Sequence, residues 1–335
     1  MAASVTGNRN ALEGKAVSST NSTFWKVTDV TKPIQGVLPI AHTPFLTDDS
    51  IDVSSLRRQI DWAYGVGADG FGTGMVSELL RLTFDERIEL TEKLGEINAG
   101  RGAYFAGVGA ESTKQAIQYA QRAERAGADA VMAIPPISTR LPVPAVRDYF
   151  VALAESVSIP VIVQDASGYV GQPIPIAICV ELLKRFGRDK ILFKPEASPI
   201  GPNLSALRDA TAGEARIYEG SGGVCLVDSY RRGIAGTMPG MELLRGIVAL
   251  WKALKRGDDT AIYRLYFPIC ALVSLQLQAG LDGFLVVEKY VLNKQGLFTT
   301  DHRRTPNAWS LDPETRDELD RLLAKLEEAL VQSES

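Results

Sequence analysis

From residue 36 onward, the chain alternates short apolar runs with longer stretches in which apolar residues recur every three or four positions. Apolar runs of this length are typical of buried strands, and the periodic stretches are typical of amphipathic helices. Eight such pairs are complete by about residue 257, and their predicted strands lie at residues 36–45, 69–74, 103–110, 131–136, 160–165, 191–196, 215–220 and 233–240.

Eight strand–helix units in a row predict an α/β fold, a closed (β/α)8 TIM barrel, because this barrel is built from eight parallel strands separated by helices. The alternative is a doubly wound open sheet, which usually carries a glycine-rich phosphate-binding turn after its first strand. Here the first strand runs into "HTPFLTDDS" (42–50), which contains no glycine. The pattern therefore favours the barrel.

Local signals mark where several helices begin and end. Thr83 with Glu86, and Ser112 with Gln115, have the spacing of a capping box, in which two side chains satisfy free amides at a helix start. Gly67 follows an amphipathic stretch and can adopt the left-handed conformation that ends a helix. We therefore expect helices that begin after residues 83 and 112 and a helix that ends at residue 67.

We divide the chain into an arm and one folded domain. Residues 1–34 are rich in serine, threonine and asparagine, which predicts a flexible N-terminal arm, solvated or in contact with a partner. They lack the apolar core of a signal peptide, although their composition also fits a transit-type leader. Residues 35–257 form the predicted barrel. Residues 258–335 are predicted to be a helical extension of the same domain that covers the barrel bottom or builds a subunit interface.

Composition narrows the function classes. Hydrophobic residues make up 45% of the chain and charged residues 23%, the usual mixture of a globular protein. The net charge of −4 gives no electrostatic footprint for nucleic acid or an anionic membrane, and no uninterrupted run of 18 apolar residues predicts a spanning helix. Three cysteines lie far apart, which predicts free thiols in a reducing, cytoplasmic compartment. With two histidines at opposite ends of the chain, His42 and His302, we predict neither a metal site nor a cofactor.

The candidate chemistry lies in "ILFKPEASP" (191–199). In a barrel the catalytic groups come from the C-terminal ends of strands, and strand alternation places Lys194 and Glu196 on the inner face while Ile191 and Phe193 pack outward. Pro195 favours an extended backbone at Lys194. Since burial disfavours a charged ammonium, an inward lysine in a dry barrel mouth can act as a neutral amine and condense with a ketone to form a Schiff base.

These residues belong to a wider set that resembles the dihydrodipicolinate synthase / N-acetylneuraminate lyase family of Schiff-base lyases. Over about residues 35–330, the resemblance is carried by "HTPF", "GMVSELLRLTFDER", "AGVGAEST", "GADAVMAIPP", "IPVIVQDAS", "LFKPEASP", "GIAGTMPG" and the terminal "LNKQG…RRTP". It implies that Lys194 is the Schiff-base lysine, that the substrate is pyruvate or another 2-oxo acid, and that the assembly is a homotetramer.

The chain departs from the family pattern at three strand ends. After the fourth strand, "PPI" (135–137) stands where the dihydrodipicolinate synthases carry tyrosine. After the second strand, Val76, Ser77 and Glu78 occupy a stretch that holds the substrate carboxylate with two hydroxyls and backbone amides in many members, and Ser77 retains one hydroxyl there. At the fifth strand, Gln164 occupies the position of a proton-relaying tyrosine, and a glutamine cannot shuttle a proton at neutral pH.

Neighbouring residues complete the predicted site. Asp165 follows Gln164 and is a candidate substrate or strand-end residue, and Tyr169 in the next loop is a possible replacement for the relay. Thr237, at the end of the eighth strand, is a candidate substrate contact.

The combination resembles the branch of the family that dehydrates 2-keto-3-deoxy sugar acids. It implies that Lys194 forms an imine at C2, that a base removes a C3 proton, that Glu196 protonates the departing hydroxyl, and that Glu78 polarises a substrate hydroxyl. Three alternatives remain: a pyruvate-dependent aldolase or synthase on the same lysine, a metal-dependent barrel lyase, and a non-catalytic relative that has lost the relay.

Overall fold

A computed structural model of the chain describes residues 1–2 and 32–334. The described residues from Lys32 onward form one compact unit, and most of the predicted N-terminal arm lies outside the described residues. The strands within this unit are β1 (Gly36–Val37), β2 (Gly70–Gly72), β3 (Ala103–Gly107), β4 (Ala130–Ala133), β5 (Val161–Asp165), β6 (Ile191–Pro195), β7 (Tyr218–Glu219) and β8 (Gly236–Thr237). The helices that follow them are α1 (Val53–Val66), α2 (Phe84–Asn98), α3 (Thr113–Arg125), α4 (Val143–Ser156), α5 (Ile176–Phe186), α6 (Ile200–Ala210), α7 (Leu226–Arg231) and α8 (Leu244–Arg256).

The strands close into a ring. Strands β2 to β6 are consecutive parallel neighbours, and β7, β8 and β1 form a second parallel group. Isolated parallel bridges from Ile40 to Gly72 and from Phe193 to Ile217 join the two groups on both sides. The predicted (β/α)8 barrel is confirmed.

The first strand is shorter than predicted. Residues 36–45 were expected to pair throughout, but β1 ends at Val37, before Pro39, which has no amide hydrogen to donate to a neighbouring strand. Backbone hydrogen bonds continue on either side of the proline, where Leu38 donates to Thr237 (2.9 Å) and Ile40 donates to Pro239 (2.7 Å). The segment therefore still completes the ring.

Strand alternation separates two apolar layers. The inner cluster contains Leu192, with Phe105, Met132 and Ile162 from neighbouring strands. The outer cluster, which packs under the helices, contains Ile191 and Phe193 together with apolar residues of α5 and α6. The predicted facing of residues 191–193 is confirmed.

The predicted helix ends are confirmed in part. Thr83 and Glu86 form the expected capping box at the start of α2, and Gly67 ends α1 with a φ of 105°. The capping box predicted at Ser112 is wrong, because the Ser112 side chain makes no capping hydrogen bond and Gln115 donates instead to the Tyr119 hydroxyl (3.1 Å).

The C-terminal extension consists of helices α9 (Asp259–Gln276), α10 (Gly280–Lys294) and α11 (Pro313–Glu334). By length and composition, the stretch from α9 to α10 could cross a membrane. It contains polar residues, so it does not form an uninterrupted run of 18 apolar residues. A turn at Leu277–Ala279 separates the two helices, and α9 packs on α8 and α11. These contacts, and the buried charged residues of α10, indicate a core helix pair.

We expect Gly72→Ala to destabilise the barrel, because a methyl group built on Gly72 would lie 2.2 Å from the Phe105 ring. Overpacking of this kind costs about 1–3 kcal/mol in the free energy of unfolding, measured by urea denaturation. The control is Gly65→Ala on α1, where no atom lies within 4 Å of the added methyl group. A helix gains up to about 1 kcal/mol from that exchange. Equal unfolding midpoints for the two variants would contradict the prediction.

Candidate active site

Lys194 and Glu196 lie at the C-terminal end of β6, where the chain enters the mouth of the barrel. Both residues are buried, and the Lys194 Nζ is 3.2 Å from Glu196 Oε1. They face a cavity of about 440 Å³. It is lined by Ile40, Met75, Val76, Tyr169, Lys194, Glu196, Gly220, Gly222, Met238, Gly240, Leu281, Phe284 and Glu288. The structure thus brings the predicted lysine and carboxylate together in one enclosed space.

A small residue is needed directly after β7 to leave room for this pair. A methyl group built on Gly220 would lie 2.3 Å from Lys194 Cε and 2.5 Å from Glu196 Oε1. The glycine therefore lets the neighbouring strand end approach the pair without displacing it.

Glu196 has three polar partners. Besides Lys194, its carboxylate accepts hydrogen bonds at Oε2 from Gln164 Nε2 (2.6 Å) and from the Tyr169 hydroxyl (3.1 Å). Burial raises the pKa of Glu196 above its ordinary value, while Lys194 and the two hydrogen bonds oppose that rise. Burial and the Glu196 charge raise the pKa of Tyr169 well above 10, so its hydroxyl is a hydrogen-bond donor at neutral pH.

The two β5 candidates face different pockets. Gln164 pairs with Lys194 across the β5–β6 ladder and contacts Glu196, as expected for an inward residue. Asp165 instead lines a mostly apolar pocket of about 710 Å³ on the other face of β5 and β6, between α5 and α6. Its carboxylate accepts hydrogen bonds from the amides of Ser167 (3.0 Å) and Ile174 (2.8 Å), which fasten the loop after β5.

The candidate residues in the turn after β2 lie in two places, one at the cavity and two in the protein interior. Val76 lines the cavity. Ser77 donates to the Ala41 carbonyl and accepts a hydrogen bond from the Gly74 amide (3.0 Å), so its hydroxyl is engaged in holding the turn. Among the described residues, Ser77 and Glu78 are not part of the cavity lining.

Glu78 forms a buried ion-pair network instead. It pairs with Lys289 of α10 and with Arg81 (3.1 Å), and its φ of 55° places it in the left-handed region. Burial lowers the pKa of Lys289 to about 8, against the opposing effect of Glu78. The pair connects the turn after β2 to the C-terminal extension, which favours a structural role for Glu78.

Thr237 stands beside the site, in the β7–β8 ladder. Its hydroxyl donates to Glu219 Oε2 (2.7 Å), and Glu219 Oε1 accepts from the Ser221 amide (2.6 Å). These bonds hold the loop that carries Gly220 and Gly222 against the cavity. A direct contact of Thr237 with substrate stays a prediction.

Sequence reasoning missed a second cluster of ionisable groups at the cavity. The Glu288 carboxylate of α10 lies in the cavity wall, and its Oε2 is 2.5 Å from His42 Nε2. Glu242, which follows β8, lies beside them and accepts a hydrogen bond from Gln276 (2.7 Å). His42 stands in the quoted "HTPF" motif, but Glu288 sits in an apolar helical stretch far along the chain, so only the fold brings the two together.

Burial controls the charge of this cluster. It lowers the pKa of His42 to about 4 and raises the pKa of Glu242 to about 8, in the second case with the help of the neighbouring Glu288. Burial also raises the pKa of Glu288 well above its ordinary value, against the attraction of Lys194. The cluster is therefore neutral or nearly so at pH 7.

The side chains of His42, Glu242 and Glu288 are also of the types that bind metal ions. Among the described residues, His42, Glu242 and Glu288 are the group of such side chains whose ligand atoms all lie within 4.8 Å of one another. Two ligands bound at 2.0–2.1 Å on a tetrahedral ion are separated by roughly 3.3 Å. The 2.5 Å between His42 Nε2 and Glu288 Oε2 is too short for that arrangement and fits a hydrogen bond.

Among known protein families, the sequence model of the dihydrodipicolinate synthetase family matches residues 33–326 of the chain. The chain belongs to this family. Because members of the dihydrodipicolinate synthetase family are class I lyases, it is an enzyme of that class, and the resemblance noted in the sequence is confirmed.

Individual members of the family differ in their reactions. The L-2-keto-3-deoxyarabonate dehydratase of Azospirillum brasilense is 27% identical over 309 residues, which cover 88% of this chain and 94% of that enzyme. A probable 2-dehydro-3-deoxy-D-pentonate aldolase of Escherichia coli is 31% identical over 144 residues, 43% of this chain and 48% of that enzyme.

A solved structure agrees with the fold. The dihydrodipicolinate synthase of Rhodopseudomonas palustris superposes with a TM-score of 0.79 at 28% identity and covers 87% of this chain and 97% of its own.

We expect Lys289→Met to destabilise the protein strongly. The change removes the fully buried partner of Glu78 and leaves only Arg81, and breaking a buried ion pair in this way costs about 3 kcal/mol in the free energy of unfolding. The matched control is Lys294→Met on the same helix, whose pair with Asp320 is partly exposed and contributes about 0–1 kcal/mol. Urea denaturation of both variants measures the difference, and similar losses for the two would argue against a stabilising Glu78–Lys289 pair.

Proposed function

We propose that the protein dehydrates a 2-keto-3-deoxy sugar acid through a Schiff base on Lys194. The observation that carries this proposal is the buried Glu196 carboxyl, which contacts Lys194, Gln164 and Tyr169 in one cavity. The lysine is placed to form the imine, and the carboxyl beside it is placed to move the protons that the imine chemistry requires.

The first step joins substrate and enzyme. The neutral Lys194 amine adds to the C2 ketone, the resulting carbinolamine loses its hydroxyl as water, and a protonated imine remains. That hydroxyl leaves with a proton from solvent, and Glu196, 3.2 Å from the amine, is placed to act in the next step at C3. The carboxylate of the substrate is assigned to the backbone amides of the turn after β2, where Val76 faces the cavity.

The second step eliminates water from the substrate. The protonated imine withdraws electrons from C3, a base takes a C3 proton, and the C3–H electron pair forms an enamine. The enamine then expels the C4 hydroxyl, which leaves as water after receiving a proton. Hydrolysis of the unsaturated imine frees the lysine and releases the product.

Two observations support a dehydratase over other members of the family. The relative aligned over nearly its whole length, that of Azospirillum brasilense, is named as a 2-keto-3-deoxyarabonate dehydratase. Gln164 stands where many members carry the relay tyrosine, and its amide contacts Glu196, so proton transfer is assigned to a carboxyl.

An aldolase on the same lysine is the second candidate. The partial match to the Escherichia coli aldolase favours it, and both reactions begin with the same imine. They differ in whether the C3–C4 bond or the C4–O bond breaks. Pyruvate among the products identifies the aldolase, and a product that retains all substrate carbons identifies the dehydratase.

Some assignments rest on the family resemblance and on composition alone. We propose a homotetramer in the cytoplasm that binds a small 2-oxo acid and neither nucleic acid nor membrane, with no resident metal or cofactor. Ser77, Glu78, Asp165 and Thr237 support the site through the contacts described above.

We expect sodium borohydride to trap the enzyme covalently with pyruvate and with L-2-keto-3-deoxyarabonate. Reduction of the imine adds a stable mass to Lys194, which peptide mapping by mass spectrometry detects. Lys194→Arg should carry no adduct, whereas Lys184→Arg, at an exposed lysine of α5, should be labelled like the wild type. A wild-type protein without an adduct at Lys194 would rule out the proposed mechanism.

We expect Glu196→Gln to retain the borohydride adduct and to lose turnover by about 10²–10⁴-fold, the usual contribution of a general acid or base. The amide keeps the shape of the side chain but cannot exchange a proton. Steady-state dehydration of L-2-keto-3-deoxyarabonate is the measurement, with the exposed Glu181→Gln as control. If the variant no longer forms the adduct, Glu196 acts in imine formation and not in the elimination.

A further inference from the structure

Glu288 reaches the cavity from a different part of the fold than Glu196. It is carried by α10 of the C-terminal extension, is 1% exposed, and lines the same cavity as Lys194. Lys194 and Glu288 thus face one cavity, and the charge of Lys194 opposes the rise in the pKa of Glu288. A buried carboxyl that faces a nucleophilic lysine is a candidate for chemistry as well as for structure.

Both oxygens of Glu196 already have partners. Oε1 contacts Lys194, and Oε2 accepts hydrogen bonds from Gln164 and Tyr169. These contacts hold Glu196 on the β5–β6 side of the cavity, next to the nitrogen of the future imine. Proton transfer at the imine and at C3, which adjoins it, therefore suits Glu196 best.

Elimination of water requires a second proton movement. One proton leaves C3 for a base, and another must reach the C4 hydroxyl so that it can depart as water. A single carboxyl can do both in turn, but two carboxyls on different elements allow the base to remain ionised while the acid is protonated.

We propose that Glu288, positioned by His42, is the acid that delivers a proton to the hydroxyl leaving from C4. This inference rests on the proposed dehydration at Lys194. In the step itself, the enamine electron pair forms the C3–C4 double bond, the C4–O bond breaks, and the Glu288 proton joins the departing oxygen. Glu288 is left as a carboxylate, and solvent or the C3 proton restores its acid form.

The surroundings of Glu288 favour the protonated form of its carboxyl. Its titratable neighbours are His42 on the chain after β1, Tyr169 after β5, Lys194 on β6 and Glu242 after β8. Burial raises the Glu288 pKa well above its ordinary value and lowers the His42 pKa to about 4, so His42 is neutral. We assign His42 the tautomer that donates from Nε2 to Glu288 Oε2, which leaves the proton of the acid on Oε1.

Space for this oxygen is provided by a glycine. A methyl group built on Gly240 would lie 2.6 Å from Glu288 Oε1 and 2.3 Å from Glu242 Oε2. Gly240 itself lines the cavity, so Oε1 stands at the cavity wall and not behind it. Among the described residues that line the cavity, Glu242 is not included. Its Oε2 has no hydrogen-bond partner and lies behind the Glu288 carboxyl.

The test is Glu288→Gln, with Glu181→Gln at an exposed glutamate of α5 as the control. Three measurements are made on each: the borohydride adduct at Lys194 with pyruvate, the exchange of pyruvate methyl hydrogens for deuterium in D2O, and the dehydration of L-2-keto-3-deoxyarabonate. We expect Glu288→Gln to retain the adduct and the exchange and to lose dehydration by at least about 100-fold. Glu181→Gln should retain all three.

The outcomes separate this inference from the proposed function. Wild-type turnover in Glu288→Gln, or loss of deuterium exchange together with turnover, would overturn the role of Glu288 while the imine on Lys194 stands. A wild-type protein without an adduct would instead overturn the proposed function.

If Glu288→Gln does not fold, the pH dependence of wild-type kcat tests the role of Glu288 instead. An acid that must be protonated predicts that kcat falls on the basic side, and that His42→Asn shifts the basic limb. A kcat that stays level at high pH contradicts the assignment.

Discussion

The burial of Lys194 is the constraint around which the site is built. Taking a lysine charge out of water costs several kcal/mol unless an opposite charge or an uncharged state relieves it. Two carboxyls line the cavity with Lys194: Glu196 directly after the same strand and Glu288 on α10. Burial raises the pKa of both carboxyls, so each keeps its proton to a higher pH than an exposed glutamate does.

The C-terminal extension lines the cavity at the barrel mouth and is more than a cover for the barrel. Neighbouring residues of α10 point to two different environments: Glu288 faces the cavity, whereas Lys289 pairs with Glu78 behind the turn after β2. The Lys289 ion pair holds α10 against the barrel, and that position brings Glu288 to His42. Stability of the extension and chemistry in the cavity therefore depend on one short stretch of helix.

Close approach of the strand ends gives the cavity its shape. Gly220 and Gly240 stand where any side chain would collide with Lys194, Glu196, Glu242 or Glu288. The two glycines follow β7 and β8, on the side of the ring opposite β3 and β4. They let the carboxyls of Glu196 and Glu288, which come from two different elements, meet at one cavity.

The sequence by itself determined the barrel, the facing of residues 191–193 and the pairing of Lys194 with Glu196, because each depends on local periodicity or on residues close together in the chain. Only the tertiary structure decided the rest. It directed Glu78 to Lys289, brought the Tyr169 hydroxyl to Glu196, and joined His42 to Glu288 across 246 positions of the chain. Contacts between residues so far apart in the chain depend on how the helices of the extension pack on the closed ring. The hydrophobic periodicity of strands and helices does not predict that packing.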